Sequence, residues 1–194
     1  MLRVKKVPLW TGLAVALLAA PSAFAAQYQI DPTHTNVLVQ WDHFGFSKPS
    51  ANFGQAKGAL DYDAANVKAS AVSVELPLAG LTSFVPKLDE HLKGTDFFDA
   101  ARFDKATFHS TRVEPGAGNR LKVHGVLTIK GVSKPVVLDA TLNHQGEHPM
   151  SKTQAIGFDA TTVIKRSDFG LGAYAPAVSD EVSVRITTEA VVTK

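Results

Sequence analysis

From Gln27 onward, apolar and polar residues alternate with a period of two in one run after another. Val37, Val39 and Trp41 alternate with Asn36, Leu38 and Gln40, and Val72, Val74 and Leu76 with Ala71, Ser73 and Glu75. Leu121 to Ile129, Val136 to Leu142, Phe158 to Ile164 and Val182 to Ala190 repeat the scheme. Such runs predict strands with one apolar and one wet face, the pattern of antiparallel pairing. Turn signals separate them at Asp61-Tyr62-Asp63, Glu114-Pro115-Gly116, Lys130-Gly131, Gln145-Gly146 and Phe169-Gly170. With Ala51 to Leu60 the count is about eight strands, the number at which a closed barrel can hold one small ligand. Closure also removes the unpaired edges that an all-strand chain must otherwise protect. Small residues (Ala56, Gly58, Ala106, Gly125, Ala140, Ala160 and Ala190) share the parity of the large apolar ones. They either leave a hollow or let larger neighbours interdigitate, and a two-layer sandwich would alternate in the same way.

One stretch departs from the pattern. Pro86 is placed to start a helix, Leu88 and Leu92 share one face, and Gly94 supplies a stop. Thr95 is positioned to cap a second short turn that sets Phe97 beside Phe98, with Phe103 following before alternation resumes at Ala106. This insert reads as a plug or lid on the barrel.

Residues 1–26 have the marks of a cleaved secretory leader: Arg3, Lys5 and Lys6, an apolar run from Val7 to Ala20, then Ala23-Phe24-Ala25. The run is short for a bilayer span, which points to an exported chain that does not cross a membrane. Three of the 20 basic side chains belong to the leader, which has no acidic residue, so 17 basic face 18 acidic in the remainder. No basic block is left, which disfavours nucleic acid as a partner. There is no cysteine and hence no disulfide framework. Residues 27–194 are enough for one domain, with no linker tract or repeat.

Several strings now combine: Ile30-Asp31-Pro32-Thr33-His34-Thr35, His91-Leu92, Asp96-Phe97-Phe98-Asp99, Ala106-Thr107-Phe108 and Ser110-Thr111. Gly125 to Val136 (GVLTIKGVSKPV), Arg166-Ser167-Asp168-Phe169-Gly170 and Asp180-Glu181-Val182 complete the series. In this order, from about Tyr28 to Ala190, the chain resembles the YceI-like periplasmic lipid/polyisoprenoid-binding proteins. The resemblance implies an all-β, extended lipocalin-like barrel of eight antiparallel strands with one short helical insert. It also implies a periplasmic location, an interior pore for a long isoprenoid or fatty lipid, no cofactor and no catalytic cycle. Two departures bear on ligand length and entrance: Ala56 where an aromatic is expected, and an alanine-rich insert from Leu171 to Val178.

The expected pore lining is Val37, Val39, Trp41, Val72, Val74, Leu76, Phe108, Leu127, Leu138, Phe158, Ile164, Val184 and Ile186, with Phe97, Phe98, Phe103 and Phe169 near the lid. Association costs roughly 4 to 15 kcal/mol, and each buried methylene returns about 0.8 kcal/mol. A tail of about ten carbons therefore only breaks even, so the expected guest is longer.

A polar set, His91, Asp96, Asp99, Arg166 and Asp168, has three readings. Its members cap and pin loops; His91 and Arg166 meet a head group; or His91 pairs with a carboxylate as a general base on the lipid. No nucleophile motif or cofactor loop accompanies the set, and this favours pinning over an enzyme. His144, Glu147 and His148 have spacing that suits a metal on a helix, but Gly146 and Pro149 predict a loop, so no metal is expected. The rival to the carrier is a filled-barrel envelope stress or interaction protein, with Tyr174 to Val178 as its contact. A monomer and a homodimer both remain open.

Overall fold

A computed structural model describes residues 26–192. The predicted leader lies outside these residues except for Ala26, which begins the first strand. The strands are β1 (Ala26–Ile30), β2 (Asn36–Gln40), β3 (Ser50–Phe53), β4 (Lys57–Tyr62), β5 (Ala71–Pro77) and β6 (Leu81–Thr82). After α1 (Pro86–Lys93) come β7 (Lys105–Pro115), β8 (Arg120–Ile129), β9 (Val132–Glu147), β10 (Gln154–Lys165) and β11 (Glu181–Val191).

The ring β1-β4-β5-β7-β8-β9-β10-β11 closes through Gln29 opposite Val191 and Ile30 opposite Ala190. Every pairing is antiparallel, as the alternation predicts, and of the barrel and the sandwich it allows the chain forms the closed eight-stranded barrel that the resemblance implies. Above the β1 pairing, β11 continues onto β2, then β3 and β6, so the first six strands act as three long strands, each broken once. Just after the break from β3 to β4, Gly58 lets β4 come close to β5. A Cβ there would lie 2.1 Å from the Ser73 carbonyl oxygen, so the close approach of β4 to β5 requires glycine.

Extra residues Thr111 and Asn143 shift the register in β7 and β9 and restore the inward parity beyond them. One predicted turn is corrected. Gln145-Gly146 continues β9 as far as Glu147, and the chain reverses at His148 to Thr153, where the His148 and Thr153 backbones bond. Pro149, not Gly146, falls in the reversal.

α1 starts at Pro86 and ends before Gly94, as expected. Leu92 is buried and Leu88 packs on the same cluster, so this face closes one end of the barrel. The second turn is held without a Thr95 cap: the Phe97 and Asp99 N–H groups donate to the Gly94 carbonyl, and Lys130 Nζ donates to the Thr95 carbonyl. Asp99 is buried and takes Arg102 Nη1 at 3.3 Å. At the opposite end, Tyr28, Tyr62, Ile156, Phe158 and Ala190 pack into a plug.

Candidate functional site

The inward residues of the strands are apolar, yet many remain half-buried instead of fully buried, including Val39, Trp41, Val72, Val74, Leu127, Ile164 and Val184. Side chains on the inside of a closed barrel keep accessible surface only where they face empty space. Two adjoining chambers account for it. The upper one, of about 360 Å³, lies under α1; the lower, of about 180 Å³, runs toward the plug. They share Val37, Leu76, Leu127 and Val184, which form a waist.

Of the residues expected to line the pore, Val39, Trp41, Phe97, Phe98, Ile164 and Phe169 face the upper chamber. Val72, Val74, Phe108, Leu138, Phe158 and Ile186 face the lower one, and Val37, Leu76, Leu127 and Val184 form the waist. Phe103 is the exception: its ring rests on the Gly131 backbone with the Arg102 guanidinium 5.3 Å from its centroid, outside both chambers. The small inward residues divide. Ala106, Ala140, Ala160 and Ala190 leave room, whereas the Phe108 ring fills the space a Cβ on Gly125 would take. Ala56 is fully buried away from both chambers.

The polar set is spread out. Arg166 is 8% exposed and its guanidinium reaches into one loop. Nε donates to the Ser179 carbonyl at 2.8 Å and Nη2 to Val178 at 2.8 Å. Nη1 donates to Ala173 at 2.8 Å and to Leu171. Burial pulls its pKa below the ordinary value, opposed by Asp180. Asp180 itself accepts the Ser167 N–H and hydroxyl at 2.8 and 2.7 Å, which hold its carboxyl below the usual range. Arg166 therefore pins Leu171 to Ser179, which leaves a single Nη2 hydrogen outside the loop, and its side chain borders the upper chamber.

His91 stands at the rim, on the exposed side of α1. Its ring meets Phe97 edge-on at 5.0 Å and Tyr174 at 6.1 Å, while Phe97 and Tyr174 stack at 6.3 Å. Among the described residues no carboxylate is within hydrogen-bonding reach of that ring, so the general-base pairing is not assembled. Among the described residues no group of three or more His, Cys, Asp or Glu could hold a metal. His148 instead accepts the Met150 and Ser151 N–H groups at Nδ1, both at 3.2 Å.

His43, Phe44, Tyr174 and Val178 complete the opening, and sequence reasoning did not place the first two there. The signal available was the aromatic run His43-Phe44-Gly45-Phe46 at a turn, where exposed rings are unusual.

A hollow antiparallel barrel, walled by apolar side chains and open beside one helix, belongs to the class of barrels built to enclose a small ligand. The YceI-like domain model matches residues 28–190, and the chain belongs to that family. It is 36% identical over 186 residues to a UPF0312 protein of Pseudomonas putida, covering 93% of this chain and 96% of the relative. The crystal structure of the Campylobacter jejuni YceI protein superposes with a TM-score of 0.70 at 25% identity, over 95% of this chain and 100% of that one. A polyisoprenoid-binding domain from Saccharophagus degradans has the same fold, with a TM-score of 0.67 at 15% identity over 88% and 99% of the two chains.

Proposed function

We propose that the protein is a periplasmic binder that keeps a long-chain isoprenoid or similar amphiphilic lipid out of water, with its tail in the two chambers. The carrying observation is the vacant apolar interior, about 360 Å³ above the waist and about 180 Å³ below it. An apolar cavity of about 150 Å³ accommodates a benzene ring. On that scale the upper chamber takes about fourteen carbons and the lower about seven, well past the break-even length. The polyisoprenoid-binding neighbour and the leader-like N-terminus support the same reading. The hollow weighs against a filled-barrel interaction protein, and the scattered polar set weighs against chemistry on the lipid.

Native mass spectrometry and solvent extraction of protein purified from the envelope fraction test this directly. A co-purifying long-chain lipid is expected. Repeated recovery of empty protein that takes up no lipid when offered it would overturn the proposal, and His91→Ala is expected to leave lipid uptake within a few-fold of the parent.

A further inference from the structure

Among the described residues seven besides glycine have positive φ, a conformation that bulky side chains rarely adopt. Four are Gln55, Asp99, Lys130 and Lys152. The other three are aromatic: Phe44 at 56°, Phe84 at 63° and Tyr174 at 64°. They are 52%, 79% and 57% exposed, and neighbouring Phe46 is 92% exposed; Phe44 meets the His43 ring and Tyr174 stacks on Phe97, whereas Phe84 makes no ring contact among the described residues. At Phe84 burial does not compensate for the strain, and a glycine or asparagine would serve that turn better. Strain retained at rings that stay this exposed points to a role outside the folded chain.

These rings share one end of the barrel. His43 bridges Ser47 and Val178, and the Phe44 N–H donates to the Ala177 carbonyl at 3.0 Å, which ties the Phe44 and Tyr174 loops together. β6 runs antiparallel to β3 with Thr82 opposite Asn52, so the register carried two residues further brings Phe84 level with Ser50, where β3 leaves the Phe44–Phe46 turn. Phe44 and Tyr174 border the opening of the upper chamber; Phe46 and Phe84 stand outside it.

We infer that this rim docks on a lipid bilayer, with the ring tips seated among the head groups and the opening turned to the membrane. The inference rests on the lipid-binding reading, because a tail leaving the chamber through water would expose the surface that the barrel exists to hide. The charge around the tips agrees. Lys48 and Lys87 are exposed and make no ion pair among the described residues. The adjacent carboxylates are turned into their loops: Asp42 accepts the Gly45 N–H at 2.7 Å, and Asp89 accepts the Ser83 N–H and hydroxyl. Glu90 and Asp96 share a shallow depression on the flank of α1 with Lys87, so Lys48 is the cation set apart from carboxylates. Isolated aromatic tips with nearby lysines suit an interfacial region. A second copy would need a continuous face of about 800 Å², and the opening interrupts the rim.

The test is flotation with phosphatidylcholine vesicles containing phosphatidylglycerol, on the full mature chain, for the parent, Phe46→Ser, Phe84→Asn and the double variant. Vesicle binding of the double variant is expected to fall about tenfold or more. Its lipid content after extraction should be unchanged, and Phe84→Asn should unfold at an equal or higher denaturant concentration. Parent protein that carries lipid yet fails to float, or a double variant that floats normally, overturns the inference and leaves the lipid-binding reading standing. A change in sedimentation of the double variant in place of lost flotation would assign the rim to a second copy and equally overturn it. Empty parent protein that floats would support the docking surface while removing the carrier reading.

Discussion

Ala160→Phe in the lower chamber isolates the part of the interior that long tails alone would reach. Ala160 lies opposite Ala140 on β9 and Ile186 on β11, and all three border that chamber. Its volume of about 180 Å³ is close to the roughly 150 Å³ that one benzene ring occupies, so the new side chain nearly fills it. A tail would then lose burial of roughly six carbons at about 0.8 kcal/mol each, near 5 kcal/mol in total. That corresponds to about a thousandfold or more in Kd. The fold should hardly notice. Burying the ring contributes about 1.5 to 3 kcal/mol, and forcing it into place costs about 1 to 3 kcal/mol, so Tm should move by only a few degrees. Titration with two fluorescent lipids, one of more than about twenty carbons and one of about fourteen, reads the difference. The long probe should lose its affinity and the short one keep it. Equal losses, or none, would refute the two-chamber reasoning.

Other perturbations have equally definite outcomes. Arg166→Met strips four carbonyls of their donor and should destabilise by about 3 to 5 kcal/mol in urea titration, with hydrogen-exchange protection of residues 171–179 lost first. Gly58→Ala would place its Cβ against the Ser73 backbone, so a loss of about 3 kcal/mol or more is expected in the same assay. The Asp31–His34 pair sets a pH window. Hydrogen bonds from Thr33 and His34 hold Asp31 at about 2, below its ordinary 3.8, so its contribution is present above pH 3.8 and is lost as pH falls toward 2. His34 is raised from 6.5 by its bond to Asp31, so its contribution is present below pH 6.5 and is lost as pH rises through the raised value. Denaturation midpoints against pH should therefore show a shallow maximum between those limits, and Asp31→Asn should flatten it.

The strands, their inward parity and the helix were legible because each rests on a local period or on a cap residue. Val182 to Ala190 alternates without interruption and forms β11 as read. Gln145-Gly146 failed because glycine marks a turn only where the neighbouring strand also ends, and β10 continues to pair alongside it as far as Gln154 opposite Glu147. Phe103 failed for a related reason. Proximity to Phe97 and Phe98 in sequence says nothing about which side of the turn built on Asp99 a ring will take. The hollow itself was beyond reach. A small residue at an inward position is equally consistent with a hollow, as at Ala160, and with infill, as at Gly125 under Phe108. Only the closed register decides which. The rim was read only in part: Tyr174 to Val178 stood out as a contact, but no local period joins it to His43 and Phe44, which pair with it only in the fold.

A vacancy of this size bears on how the fold survives. Residual cavities in a protein core cost about 24 cal/mol per Å³, so an upper chamber of 360 Å³ left truly dry would forfeit about 9 kcal/mol. That is comparable to the whole stability of an ordinary domain. Water entering through the open rim lowers the cost but gains few hydrogen bonds from walls of valine, leucine and phenylalanine. A guest that fills the chambers restores the missing contacts, and its binding free energy adds to folding stability by mass action. The barrel and its guest would then form one thermodynamic unit: protein stripped of lipid should melt several degrees lower and recover on reloading, with the recovery growing with tail length until both chambers are full.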